Sequence, residues 1–249
     1  MIRILLFLLL FTQPSQLTAQ PDSRFRPFDW TLYRGSGSIT SITEGFTFAY
    51  IGTEMGGLKR FNIFSQNFDE PITIAQGLKD NNITATHFDM KTGLIWAASS
   101  NHIQYSFSRE GDWYAQNLQN LGLSRNDLIN RIGSSENFLW LQARSSYVKL
   151  DHSSGTSIGI YPVPDELNIE WSSGRYIGQS DLHELFMTYS VMAGWILNGD
   201  ELIDDLGRRI DISTGLIGRN GNVYAGAEDG TFFQGTTTME TFYPLYPDI

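Results

Sequence analysis

Four histidines, a scatter of carboxylates and a few serines are the residues here whose types could do chemistry. His87, His102, His152 and His183 stand far apart along the chain. None of the H-x-H, H-x-x-x-H or HExxH spacings that set two imidazoles on one metal occurs. Glycoside hydrolysis asks for two carboxyl groups about 5–10 Å apart across one bond. Glu44, Asp89 and Asp211 are the carboxylates placed to face inward. Asp89, however, precedes Lys91-Thr92-Gly93, where an Asp ordinarily satisfies the backbone of its own turn. Asp204-Asp205 and Glu228-Asp229-Gly230 read as turns too, and the latter has too few ligands for a calcium loop. Ser41 and Ser134-Ser135 offer no G-x-S-x-G elbow. Gly56-Gly57 reads as a hairpin rather than a phosphate loop. The expectation is therefore a protein with no catalytic residues, no metal and no cofactor.

What positions these residues is a repeat. Its clearest copy is GLKDNNITATHFDMKTGLIWAAS, residues 77–99. A Gly-Leu and a polar turn lead into an alternating strand, and a second turn leads into a hydrophobic strand. Aligned on that second strand, the chain shows YIGT, WAAS, WLQA, FMTY and YAGA, led by Tyr50, Trp96, Trp140, Phe186 and Tyr224 at intervals of 46, 44, 46 and 38 residues. Ile39, Ile83 and Ile129 recur in step before the column, and a Gly-Leu lead-in recurs at 77–78, 122–123 and 215–216.

A period in this range with about four short strands per unit marks a radial repeat. The physical reason is burial: one twisted sheet cannot cover both of its faces, but a ring of sheets can. The fold class expected is all-β, a β-propeller of about five four-stranded blades. The aromatic column is expected to fill the space between blades. Each aromatic contributes about 1.5–3 kcal/mol on burial.

Strands are expected at 39–44, 46–53, 58–64 and 68–74; at 83–89, 94–99, 102–108 and 113–118; and at 128–133, 138–143, 147–151 and 157–163. The fourth unit, about 169–211, is less regular. Its strands read as 175–178, 184–190, 194–198 and 202–206, against helical spacing of Leu202, Leu206 and Ile210. The fifth has 215–219, 222–227, 231–235 and 241–245, with Asn220-Gly221 as a hairpin signal. FDWTLYR, residues 28–34, reads as an outer strand able to close the ring beside 231–235 or 241–245.

Domain organisation follows. Residues 1–20 carry Arg3, an apolar run and Leu17-Thr18-Ala19, a secretory signal too short to span a bilayer. Residues 21–27 form a loose leader, and 28–249 form one domain. There are no cysteines among the 249 residues. That excludes disulfides, thiolate catalysis and a lipidated cysteine, and it favours a bacterial periplasm or exterior. The 27 acidic against 17 basic residues, a net charge of −10, disfavour nucleic acid and anionic membranes. No membrane insertion is expected after signal cleavage.

The pattern GL-x-x-N-x-I-x-x-x-x-x-D-x-x-x-G-x-I-W-x-A over 77–98 resembles the repeat of the two-component regulator propellers. Gly77, Leu78, Asn81, Asn82, Ile83, Asp89, Gly93, Ile95 and Trp96 carry it; Gly122, Leu123, Ile129 and Trp140 repeat part of it, as do Ile39, Gly52 and Thr53. The resemblance covers roughly 35–145. It implies a periplasmic sensor-type propeller that binds a ligand or partner, with scaffold rather than catalytic residues conserved in its repeat. The expected function is a secreted, non-enzymatic propeller binding a protein, glycan or small ligand through one rim. Loops after the column strand place Met55, Ser100, Asn101, Arg144, Ser145 and Asp229 on that rim. Two alternatives remain open. One is a carbohydrate-active enzyme using the inward carboxylates, as in certain five-bladed glycosidases. The other is an incomplete ring completed by another chain as an oligomer.

Overall fold

The computed structural model describes residues 35–107, 112–175, 186–199, 201–204 and 206–247. The signal, the leader, the 28–34 strand and His183 lie outside the described residues, as does nearly all of the strand expected at 175–178. The fold is all-β with four sheets. Sheet 1 is β1 (Ile39–Glu44), β2 (Phe48–Thr53), β3 (Leu58–Asn62) and β4 (Asn67–Ile72). Sheet 2 is β5 (Ala85–Asp89), β6 (Leu94–Ala98), β7 (His102–Ser106) and β8 (Tyr114–Asn117). Both are antiparallel meanders. Sheet 3 is β9 (Arg131–Ser134), β10 (Phe138–Gln142), β11 (Tyr147–Asp151) and β12 (Ser157–Tyr161), and β13 (Glu170–Trp171) pairs with β9.

The last sheet departs from the sequence reading. Sheet 4 has seven strands. They are β14 (Ser190–Val191), β15 (Ile196–Asn198), β16 (Glu201–Ile203), β17 (Arg209–Ile217), β18 (Asn222–Ala227), β19 (Phe232–Thr236) and β20 (Thr241–Leu245). Where five units were expected, the described residues make four sheets, because the fourth unit joins the fifth. The nine-residue β17 takes up both Ile210, read as helical, and the Gly215-Leu216 lead-in. It therefore bonds β16 on one side and β18 on the other. Phe186 lies on no strand; it occupies a helical turn and packs edge-on to Phe242, 5.2 Å between ring centres. Ser190 and Val191 pair in parallel with Thr241 and Phe242, at the edge where the 28–34 strand was one candidate to sit.

The Gly-Leu lead-ins of the first two sheets have a local cause. Gly77 (φ 100°) and Gly122 (φ 84°) end the 3-10 turns Ile74–Gln76 and Leu118–Leu121 in left-handed conformation, which a Cβ disfavours. Each then delivers a buried leucine, Leu78 or Leu123, to a core. Asn220 (φ 57°) and Gly221 (φ 76°) supply the left-handed pair of the β17–β18 hairpin.

The column residues share one register: Tyr50, Trp96, Trp140 and Tyr224 are each third in the second strand of their meander. They face different neighbours. Tyr224 packs with Ile39, Ile51 and Phe61 of sheet 1. Tyr50 packs with Phe88 and Ile95 of sheet 2, and Trp96 with Ile132, Leu139 and Val148 of sheet 3. Trp140, the next in line, faces no sheet among the described residues. Its Nε1 donates to Glu166 Oε2 at 2.8 Å, and Tyr161 meets it edge-on. The far face of β18 and β19 is covered from within the same unit, with Val223 and Phe233 clustered against Phe186, Leu202, Tyr189 and Trp195. Among the described residues no helix is long and apolar enough to cross a membrane.

Candidate functional site

The first strands converge: β1 lies beside β5 and β17, and β5 beside β9. A short segment, Ser172-Ser173, threads between them and bonds every sheet. Ser172 N–H donates to the Ile132 carbonyl. Its Oγ shares a hydrogen bond with His87 Nδ1 (2.6 Å) and donates to Thr43 Oγ1 (3.1 Å). Ser173 Oγ accepts from Ile42 N–H (2.6 Å) and from Thr214 Oγ1 (2.9 Å). His87 Nε2 shares a second bond with Ser134 Oγ at 2.8 Å. Burial pushes the His87 imidazole down to about 4, with the Asp89 charge opposing. His87 is thus neutral and fully engaged. It ties sheets 2 and 3 to the central segment rather than holding a metal.

Two small cavities flank this hub, at opposite ends of β1. One, about 110 Å³, is lined by Thr43, Glu44, His87, Phe88, Trp171 and Arg219, among others. The other, about 200 Å³, is lined by Thr40, Glu54, Asn82, Ser100, Asn130 and Arg175 and their neighbours. Of the expected rim residues, one belongs to the second cavity. Ser100 lines it; the other rim residues do not. Met55, 53% exposed, donates its N–H to the Ser36 carbonyl. Asp229 accepts from Thr231 N–H. The Asn101 carbonyl accepts from Leu118 N–H. Arg144 and Ser145 are exposed. Hydrogen bonds from Ser124, with the Arg144 charge behind them, hold Asp127 below the usual carboxylate range.

The inward carboxylates are also dispersed. Glu44 lies at the 110 Å³ cavity with Arg219. Asp89 is fully buried and accepts from Lys91 N–H and Thr92 Oγ1, as its turn position suggested, with His152 Nδ1 3.2 Å away. Asp211 is exposed on β17. No cluster of three metal-ligating side chains occurs among the described residues.

A cavity larger than these two lies elsewhere, between the β19–β20 hairpin of sheet 4 and the β3–β4 turn of sheet 1. It is a groove of about 450 Å³ lined by Gln66, Gln234, Gly235, Thr236, Met239, Thr241, Tyr243 and Leu245. Register explains it. Phe232 pairs with Leu245, Gln234 with Tyr243, and Thr236 with Thr241, so these side chains share one face. Phe232 packs on Phe61 and Phe68 of sheet 1, at 5.3 and 5.8 Å. Beyond that aromatic contact the same face turns polar, the sheets part, and Gln66 from the β3–β4 turn forms the opposite wall. Tyr243 is 41% exposed. Among the described residues no charged side chain lines the groove. Sequence reasoning missed it because the residues look like an ordinary outer hairpin. The available signal was the run Phe232, Gln234, Thr236, in which one face of a strand changes from apolar to polar.

No protein-family model matches the chain. No curated protein matches it either. Solved structures similar to it include two extracellular domains of BT4673 from B. thetaiotaomicron. One is described as belonging to a hybrid two component system (13% identity, 85% of this chain and 28% of that one, TM-score 0.40). The second is described as a one component system (12% identity, 80% and 27%, TM-score 0.39). The computationally designed protein Ika8 is a third (14% identity, 80% and 58%, TM-score 0.38). This chain spans under a third of the length of the two BT4673 domains.

Proposed function

We propose that this chain is a secreted or periplasmic, non-enzymatic binding module built as a small β-propeller, and that it holds a neutral glycan in the groove between sheets 4 and 1. The observation that carries the reading is the groove's size and lining. At about 450 Å³ it falls within the roughly 300–1,000 Å³ usual for ligand sites. The two central cavities fall below that range. An exposed tyrosine, two amides and two threonine hydroxyls, with no charge among the described lining residues, match a ligand that offers hydroxyl groups and an apolar ring face. In a chain of net charge −10, a cavity whose described lining is uncharged argues against a charged ligand.

None of the cavities described above gathers the rim of Met55, Ser100, Asn101, Arg144, Ser145 and Asp229, so the groove is preferred to it. Glycoside chemistry by Glu44, Asp89 and Asp211 draws less support, since each carboxylate has separate surroundings. The test is calorimetric titration of the chain with a panel of neutral oligosaccharides. Binding by at least one, weakened about tenfold or more in Tyr243→Ala, is the expected result. No binding across the panel, or binding that Tyr243→Ala and Gln234→Ala leave unchanged, overturns the proposal. Turnover of a bound glycan would revive the enzymatic alternative.

A further inference from the structure

The turn that brings Gln66 to the groove is built the same way in four hairpins. In each, the fifth residue donates its N–H to the carbonyl of the first: Gln66 to Asn62 (2.9 Å), Gly93 to Asp89 (2.8 Å), Gly155 to Asp151 (2.8 Å) and Glu240 to Thr236 (3.0 Å). Asn62, Asp89, Asp151 and Thr236 each also accept a backbone N–H through the side chain. The fifth residue is left-handed in all four, at φ 55°, 73°, 71° and 47°. Glycine takes that conformation freely, whereas a Cβ makes it costly. Two of the turns use glycine. The two that do not are the β3–β4 and β19–β20 turns, and both border the groove. Among the described residues Gln66 is the one of that pair in the groove lining. Glycine would suit the turn better than Gln66 does, so its side chain answers to something outside the turn.

The lining indicates what. Thr236 Oγ1 accepts from Met239 N–H, and Thr241 Oγ1 donates to the Met239 carbonyl, so both hydroxyls are engaged within their own turn. The two amides are different: among the described residues neither the Gln66 nor the Gln234 side chain has a hydrogen-bond partner. Each carries a carbonyl acceptor and an NH₂ donor. They come from opposed walls, the β3–β4 turn and β19. A secondary amide matches such a pair. It is planar and trans, so its N–H and C=O leave from opposite edges. One glutamine accepts from the N–H while the other donates to the carbonyl. A sugar hydroxyl offers both functions from a single oxygen and meets one wall at a time. Met239 and Leu245 add apolar surface suited to a methyl group. Peptides carry trans amides too, but an extended peptide is ordinarily taken up along a free strand edge. The outer edge of β20 is already paired with β14 at Thr241 and Phe242.

We propose that the groove selects N-acetylated amino sugars among neutral glycans, an inference that rests on the groove being a glycan site. Gln66 and Gln234 hold the acetamido group from opposite walls, its methyl lies toward Met239 and Leu245, and the sugar ring lies on Tyr243. Gln66 is the residue that sets the preference.

The test is calorimetric titration of the full chain with a matched pair, N,N′-diacetylchitobiose and cellobiose. The two share linkage and ring and differ in carrying acetamido groups or hydroxyls. Diacetylchitobiose should bind about tenfold or more tightly, the worth of one or two hydrogen bonds. Gln66→Gly should bring the two affinities within about threefold of each other and melt no lower than the parent, since glycine suits the left-handed position. If that variant fails to fold, the matched pair on the unmodified chain still decides. Equal affinity for the two disaccharides overturns this inference and leaves the groove a glycan site. No binding by either, or by any neutral oligosaccharide, overturns both. An N-acetylated dipeptide amide that binds as tightly as diacetylchitobiose overturns it in favour of a peptide ligand. A Gln66→Gly chain that keeps the full preference, or that melts below the parent, overturns the assignment to Gln66.

Discussion

Trp96 and Trp140 hold the same position in successive repeats, yet their surroundings differ. Trp96 is sealed between sheets 2 and 3, clustered with Leu94, Ile132 and Leu139 and tilted against Tyr105 at 4.3 Å. Trp140 is equally buried but lies on the face of sheet 3 turned away from sheet 2. There, among the described residues, a polar clasp meets it. Glu166 takes the indole N–H, and Lys149 Nζ lies over the Phe138 and Trp140 rings at 4.2 and 5.0 Å while binding Asp165 at 2.7 Å. The repeat thus dictates an aromatic and a need for cover. It does not dictate that the cover be another sheet.

The comparison can be broken most forcefully at Trp96. Trp96→Ala should lower unfolding free energy by about 3–5 kcal/mol in urea titrations; a loss under about 1 kcal/mol would mean the seam is not close-packed. Next comes pH at the same seam. The folded His87 value is about 4 against an ordinary 6.5. Its stabilising contribution is therefore full above pH 6.5, declines as pH falls because the unfolded chain takes up the proton first, and is exhausted near pH 4. The expected loss between pH 7 and 4 is about 3 kcal/mol. His87→Gln should flatten that part of the profile, and an equally steep decline in the variant would remove His87 as its cause.

The clasp should yield smaller effects. Glu166→Gln should cost about 1 kcal/mol, from a hydrogen bond to a charged acceptor becoming a neutral one. Trp96→Phe loses no such bond, because its indole nitrogen has no partner. Asp165→Asn should cost less than about 1 kcal/mol, as Asp165 is half exposed. Its clearer readout would be faster proteolysis within 162–169. If either clasp variant matched the cost of Trp96→Ala, the distinction between seam and clasp would collapse.

Period and alternation made the first three sheets legible almost strand by strand, since Ile39, Ile83 and Ile129 are all fully buried where the pattern needed them. The fourth unit was not legible for a physical reason. Residues 190–203 form strands of only two or three residues. Such strands carry too little alternation to announce a sheet of their own, and they attach to strands already present. Phe186 kept the aromatic spacing and the burial but not the strand. Ser172 and Ser173 were invisible because their role lies in bonds to residues 40 to 131 positions away. The groove escaped for the same reason, with Gln66 and Tyr243 meeting only through the packing of sheet 4 on sheet 1.

That packing also bears on the order in which the chain is made. Ile39 and Phe61 are covered by Tyr224 and Phe232, and Ser213 Oγ bonds the Ile39 carbonyl across 174 positions. Ribosomes deliver roughly 5–20 residues per second. Sheet 1 therefore waits about ten to thirty seconds, apolar face bare, for the strands that cover it. Nascent chains stalled before residue 222 should accordingly bind hydrophobic dyes and holdase chaperones, and chains released beyond residue 245 should not. Sheet 1 spends its early life as a client and becomes a wall only when the last hairpin arrives.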